Sequence, residues 1–262
     1  MNVHEHHLGS KTVLITGGAS GIGYGIGEYL GKQGHCIVVA DINIEAAKQA
    51  ANNFTSMGIN SHAILLNVTD TAAINTLPAS LGDLHIDVLI NNAGIQHVSK
   101  IEDFPADKFR LLIDVMLTGP ALLTKALLPR MRANNYGRII NVGSIHSVIA
   151  SPYKSAYVAA KHGLVGFAKT IALETGDANI TINNLCPAYV KTPLVEKQIG
   201  AQAQENDMTE EEVVEKIFLQ PMPKKAFIEV EELAASAAFL MADTAKNITA
   251  QNIVLDGGWT AR

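Results

Sequence analysis

The sequence predicts an α/β protein: about seven parallel strands with helices on both faces, doubly wound as one domain over residues 1–262. Three observations carry this expectation. Short apolar, β-rich runs alternate with helix-patterned stretches, and strands that read as unbroken apolar runs between helices belong to a parallel sheet covered on both faces. The first run leads through a glycine-rich turn into a helix, the local arrangement of a nucleotide-binding Rossmann unit. No Pro/Ser-rich linker divides the 262 residues, a length that suits one large domain.

The elements follow in order. Thr12-Val-Leu-Ile-Thr16 is an apolar strand; Thr16-Gly-Gly-Ala-Ser-Gly21-Ile-Gly23 is the turn, and residues 22–33 the helix it opens. Strands are expected at 37–40, 62–66, 88–91, 138–142, 181–186 and 252–255, and helices at 44–57, 71–81, 105–134, 155–175 and 230–242. The stretch of about 193–223 breaks the alternation with polar and acidic residues and ends in Pro221-Met-Pro223. It reads as a helical flap covering the substrate. Ligands of open parallel sheets bind beyond the carboxyl ends of the strands. Gly17, Asp41, Asn67, Asn92, Ser144 and Pro187 follow the first six strands there in turn.

The chemistry is concentrated in Ser155-Ala-Tyr-Val-Ala-Ala-Lys161, with Ser144 upstream. A spacing of four stacks Tyr157 and Lys161 on one helix face. A neighbouring ammonium lowers the pKa of a phenol, which must fall by roughly two to three units to accept a proton near neutrality. That is the design of a general base. In the turn, glycines let the backbone approach a pyrophosphate while the N–H groups of the helix N-terminus face it. Asp41 closes the second strand, where a carboxylate accepts from ribose hydroxyls and repels a 2′-phosphate. No Arg or Lys lies between Gly17 and Gly31 or directly after Asp41, so NAD is expected rather than NADP. Asp41 is also placed to cap the next helix.

Composition narrows the class further. A formal charge of −5 without a basic stripe argues against a nucleic-acid partner. Cys36 and Cys186 stand in apolar, strand-like contexts and are expected to be buried free thiols. No leader-like segment is evident, and no run of about 18 apolar residues is expected; a cytoplasmic protein without a membrane partner follows. His4, His6 and His7 crowd the N-terminus and read as part of a flexible tail over residues 1–10; no metal site is expected.

With Thr16-Gly17-x-x-x-Gly21-x-Gly23, Asn91-Asn-Ala-Gly94, Ser144 and Tyr157-x-x-x-Lys161 in order and spacing, the chain resembles the short-chain dehydrogenase/reductase family over nearly its whole length. Further segments, Gly94-Ile-Gln-His97, Ile101-Glu-Asp-Phe-Pro105 and Asp256-Gly-Gly-Trp-Thr-Ala-Arg262 among them, are similar to the branch that oxidises D-3-hydroxybutyrate to acetoacetate. The resemblance implies Ser144, Tyr157 and Lys161 as the catalytic set. It implies Gly17, Ser20, Gly21, Ile22, Gly23, Asp41, Asn67, Val68, Asn91, Ala93, Gly94, Tyr157, Lys161, Pro187, Val190 and Thr192 as the cofactor site. It further implies Gln96, His146, Lys154 and Gln198 around a substrate carboxylate, Tyr189 and Trp259 as an apolar wall, and a homotetramer. One departure stands out: Met116 occupies the position where the family places an Asn that holds a relay water. Two other readings remain open at this point, an NADPH-dependent reductase of acyl thioesters or small ketones, and a non-catalytic dinucleotide sensor.

Overall fold

The structure, a computed structural model, describes residues 9–261; His4, His6, His7 and most of the expected tail lie outside them. Seven strands form one sheet in the order β3-β2-β1-β4-β5-β6-β7, all paired in parallel. They are β1 (Thr12–Thr16), β2 (Cys36–Asp41), β3 (Ser61–Leu65), β4 (Val88–Asn91), β5 (Gly137–Val142), β6 (Ile180–Pro187) and β7 (Asn252–Leu255). The order reverses between β1 and β4, which opens a crevice at their carboxyl ends.

Alternation along each strand sends side chains to two cores. Val13, Ile15, Val39 and Ile90 face one side, against helices α1 (Gly21–Lys32), α2 (Ile44–Ser56) and α9 (Val230–Met241). Leu14, Val38, Leu89 and Ile139 face the other, against α3 (Thr71–Ser80), α5 (Gly119–Ala133) and α6 (Ser155–Glu174). Asn43, not Asp41, caps α2 by accepting from the Ala46 N–H at 3.1 Å.

The β5–β6 side of the sheet carries a polar row where apolar residues would be expected. Asn91 Nδ2 donates to Asn141 Oδ1 at 2.9 Å, Asn141 Nδ2 to Asn184 Oδ1 at 2.9 Å, and Asn184 Nδ2 to Asn252 Oδ1 at 2.8 Å. The four residues are register partners on β4, β5, β6 and β7, so the amides form one ladder across four strands. A buried amide is tolerated only when bonded.

The helix expected at 105–134 is divided. α4 (Ala106–Ile113) runs into a wide π-turn over Asp114–Thr118 before α5 begins. Pro120 explains part of this, because it has no N–H for the Met116 carbonyl one turn back. Gly119 explains another part: a Cβ there would lie 2.6 Å from the Val68 carbonyl oxygen. The stretch 106–133 is long and apolar enough to cross a membrane by length and composition, contrary to the expectation of no such run. Here its buried face packs on α3, α6 and the sheet.

The stretch expected as a flap forms α7 (Pro193–Glu205), the short α8 (Glu210–Val213) and a second π-turn over Val214–Phe218. Ile199, Ala203, Val213 and Phe218 give it a small core of its own. Its base is pinned where Ile228 N–H donates to the Tyr189 carbonyl at 2.9 Å and Lys191 N–H to the Ile228 carbonyl at 3.2 Å.

Candidate active site

The crevice at the carboxyl ends of the strands is a cavity of about 540 Å³. At one end stand Gly17, Ser20, Gly21, Ile22, Asp41, Asn67 and Val68, and in the middle Ala93, Gly94, Ser144, Tyr157 and Lys161. The lining continues through Pro187, Tyr189, Val190 and Thr192, the last 4.0 Å from a Cβ built on Gly21, with Gln96, His146, Lys154 and Gln198 facing the same space. Three expected residues stand behind the wall. Gly23 is there for packing, since a Cβ would lie 2.5 Å from Asn92 Nδ2. Asn91 is 3% exposed and committed to the amide ladder. Trp259 stacks on Tyr189 at 5.9 Å between ring centroids and so supports the wall from outside.

At the nucleotide end, Gly17 and Gly21 take φ of +59° and +54°, a left-handed backbone that glycine adopts without steric cost. Asn92 holds the turn shut by donating through Nδ2 to the Thr16 and Gly17 carbonyls at 2.9 and 3.0 Å. Thr16 Oγ1 in turn accepts from the Asn92 and Ala93 N–H groups, both at 3.0 Å. Ser20, the N-cap of α1, makes no side-chain cap, which leaves the N–H groups of the first turn free for an anion. Asp41 accepts from Ala19 N–H at 3.3 Å and Asn43 N–H at 3.0 Å; its carboxylate stands at the mouth of this end. Open helix donors, a glycine-rich turn with only small side chains and a carboxylate at the strand end fit an adenine dinucleotide.

The expected catalytic residues come from two elements. Ser144 follows β5 and caps a short 3₁₀ turn over Ile145–Ser147; Tyr157 and Lys161 lie one turn apart on α6. Ser144 and Tyr157 line the same cavity, and the Ser144 hydroxyl is near enough to lower the Tyr157 pKa. Gly163 admits this arrangement, since a Cβ there would meet Leu117 of the π-turn at 2.7 Å. The spacing brings Lys161 to the phenol as expected, its Nζ 5.6 Å from the ring centroid. The expected electrostatic effect is not what dominates. Burial raises the Tyr157 pKa above 10, and the nearby Ser144 hydroxyl is what draws it back. Burial likewise pulls the Lys161 ammonium down to about 8, and that ammonium donates to the Val142 carbonyl at 2.7 Å. The pocket in this state protonates the phenol, so a ligand or a proton path must help release it.

Met116 is buried at 1% exposure in the π-turn, packed with Leu112, Ala156, Ala160 and Tyr157. Its sulfur would lie 3.7 Å from a Cβ on Gly94. A thioether therefore stands behind Gly94, where it offers no side-chain amide to a water.

Polar groups gather at the substrate end. Gln96 Oε1 is buried without a partner, a group that calls for a donor from a ligand or water. Lys154 precedes the first turn of α6 and lines the cavity; burial lowers its pKa. His146 stands edge-on to Tyr157, 5.9 Å between centroids. Both its ring nitrogens are engaged: Nδ1 with Ser144 Oγ at 3.3 Å and Nε2 with Ser151 Oγ at 2.7 Å. Burial first, then the charges of Lys154 and His162, push its pKa down to about 4, so the imidazole is neutral near pH 7. Ile42, Ile95, Val115 and Val195 also line the cavity without having been expected there. Adjacency to Asp41 and to Gly94-Ile-Gln-His97 was the available signal for the first two. Cys36 and Cys186 are buried free thiols, as expected. Among the described residues no cluster of His, Cys, Asp or Glu is arranged to hold a metal.

Comparison with known proteins agrees with this geometry. The family model for short chain dehydrogenases matches residues 11–203. The D-beta-hydroxybutyrate dehydrogenase of Rhizobium meliloti is 41% identical over 97% of this chain and 100% of its own. That of Cupriavidus necator is 40% identical, again over 97% of this chain and 100% of its own. A solved structure from Agrobacterium tumefaciens, provisionally assigned as a gluconate dehydrogenase, superposes with a TM-score of 0.88 at 27% identity, covering 96% of both chains. With its glycine turn, seven-stranded parallel sheet and Ser-Tyr-Lys set, the chain belongs to the short-chain dehydrogenase family of oxidoreductases.

Proposed function

We propose that this oxidoreductase interconverts D-3-hydroxybutyrate and acetoacetate with NAD. The observation that carries the reading is one cavity in which Ser144, Tyr157 and Lys161 meet a cationic, amide-rich end formed by Lys154, Gln96 and Gln198. A small hydroxy acid presents the matching groups, a carboxylate and a secondary alcohol a short distance apart. Names of two relatives at 40 and 41% identity support the same substrate.

In the oxidative direction the alcohol proton passes to the Tyr157 oxygen while Ser144 donates to the substrate oxygen and holds it in place. When bound, the nicotinamide supplies the acceptor for the electron pair that leaves the carbinol carbon. Lys161, held by the Val142 carbonyl, is placed to orient a ribose hydroxyl and to oppose protonation of Tyr157. Lys154 fixes the carboxylate, and the Tyr189 ring, stacked on Trp259 and packed on Phe218, closes the cavity against longer chains. Asp41 selects NAD by accepting from ribose hydroxyls where a 2′-phosphate would be repelled.

A spectrophotometric screen tests this: D- and L-3-hydroxybutyrate, longer 3-hydroxy acids, neutral secondary alcohols and acetoacetyl thioesters, each with both cofactors. The reading expects the highest kcat/KM for D-3-hydroxybutyrate with NAD. Preference for a thioester with NADPH, or tight NAD binding with no turnover, would overturn it. The same reading includes a homotetramer. An apolar groove between α5 and α6, lined by Ala121, Leu128, Phe167 and Ile171, and Leu173 exposed at 86% support a covered face there.

A further inference from the structure

Past Asp41 the nucleotide end of the cavity continues to the carboxyl end of β3, the neighbour of β2 on the side away from β1. Ile42, Leu66 and Val68 line this stretch, and Asn67 stands between the last two. With the glycine turn on the pyrophosphate and Asp41 on the ribose, this largely apolar slot is left for the purine of a dinucleotide. Asn67 is half-buried, so the hydrogen bonds it already makes decide what it can offer a base.

The amide is held in one orientation. Asn67 Oδ1 accepts from the Thr69 N–H at 3.0 Å and from Thr69 Oγ1 at 2.9 Å. A backbone N–H can only donate, so the arm that meets it is the oxygen, and a flipped amide would set two donors against each other. The Asp70 N–H closes the same turn by donating to the Asn67 carbonyl at 3.0 Å. Asp70 then caps α3 by accepting from the Ala73 N–H at 3.0 Å. The acceptor of Asn67 is thus committed to the turn that starts a helix. Its other arm, Nδ2, makes no hydrogen bond among the described residues and is a donor only. The turn accounts for Oδ1 and leaves Nδ2 as the group this side chain can present to a ligand.

Purines differ in what they present in return. A 6-aminopurine carries a donor at position 6 and an acceptor at N1; a 6-oxopurine carries an acceptor at position 6 and a donor at N1. A side-chain acceptor in the slot would read the amino group, whereas a donor pairs with the oxo group or with a ring nitrogen.

We propose that Asn67 makes this a donor-presenting purine site, which holds a hypoxanthine dinucleotide at least as tightly as the adenine dinucleotide. The inference deepens, and rests on, the reading that the cavity takes a nicotinamide dinucleotide. Both ligands share the same nicotinamide half, so the base alone separates them.

Asn67→Asp is the informative variant. It puts an oxygen in place of Nδ2 and keeps the oxygen that Thr69 needs, so the turn persists while the free arm becomes an acceptor. The test is an equilibrium titration of the full chain, wild type and Asn67→Asp, with NADH and with reduced nicotinamide hypoxanthine dinucleotide, followed by nicotinamide fluorescence without substrate. The added negative charge weakens both ligands, and the ratio of their dissociation constants cancels that effect. Wild type should give a hypoxanthine-to-adenine ratio of one or below. Asn67→Asp should raise the ratio by about 2- to 12-fold, the range for one hydrogen bond gained or lost. Tighter binding of the adenine form by the wild type would overturn the assignment and leave the cofactor reading standing. A loss of affinity for both forms in Asn67→Asp with an unchanged ratio would also overturn it, and would make Asn67 a turn residue only. If the wild type binds neither dinucleotide, the cofactor reading itself falls and the inference with it.

Discussion

Asn141→Leu cuts the amide ladder at its centre and gives the account a quantitative test. Asn141 accepts from Asn91 Nδ2 and donates to Asn184 Oδ1, both at 2.9 Å, and Asn91, Asn141 and Asn184 are 3%, 0% and 0% exposed. Leucine keeps the branched heavy-atom skeleton of asparagine, and the substitution strands two groups, a donor on Asn91 and an acceptor on Asn184. Each buried group without a partner costs about 1–3 kcal/mol, which sums to about 2–6 kcal/mol. A domain stability of about 5–15 kcal/mol makes that a large fraction. Urea unfolding followed by circular dichroism, with the NAD-free protein at fixed concentration, measures it. A loss below about 1 kcal/mol would refute the reasoning, because it would mean the neighbours re-pair at no cost. Replacing Asn91, Asn141, Asn184 and Asn252 together by apolar residues should recover part of the loss, since no partner is then stranded.

Three further outcomes follow from the site. Asp41→Arg should raise kcat/KM with NADP and lower it with NAD; an unchanged preference in steady-state kinetics would count against the role given to that carboxylate. Lys154→Ala should raise KM for 3-hydroxybutyrate by roughly 10- to 150-fold, the equivalent of about 1.5–3 kcal/mol for a charged hydrogen bond, and should leave KM for a neutral alcohol nearly unchanged. His146 gives a pH dependence. Its pKa falls from 6.5 to about 4 on folding, so between those values the unfolded chain binds the extra proton and stability drops as pH falls, by roughly 3 kcal/mol in all. Above pH 6.5 the group contributes no slope. Urea melts between pH 4 and 7 should show a shallower decline for His146→Gln than for wild type, and parallel curves would contradict the assignment.

Much of the fold could be read from sequence because the inner strands β1, β2 and β4 are buried, largely apolar runs with punctuation on both sides. β1, β4 and β7 fall where expected, and β2 and β6 gain a residue at each end. The division of 106–133 could not be read in the same way, because apolar residues continue through the π-turn and the cause is backbone chemistry at Gly119-Pro120. The Tyr157–Lys161 pair was legible because helix geometry alone sets it. The direction of the Tyr157 pKa was not, since it depends on burial by elements far apart in the chain. Spacing also could not separate residues that line the cavity from those that support it. Trp259 acts through Tyr189, and Asn91 turns to Asn141 of the neighbouring strand. The link from His146 to Ser151 crosses a loop whose course no periodicity encodes.

In the proposed reaction the Tyr157 oxygen takes the proton of a small hydroxy acid bound in this cavity. Tyr157→Phe removes that oxygen and nothing else, so single-turnover oxidation of D-3-hydroxybutyrate, alongside fluorescence titration of NAD, tests it most directly. The expected rate is lower by at least about 10²- to 10⁴-fold, with NAD affinity little changed. Turnover within a few-fold of wild type would contradict it.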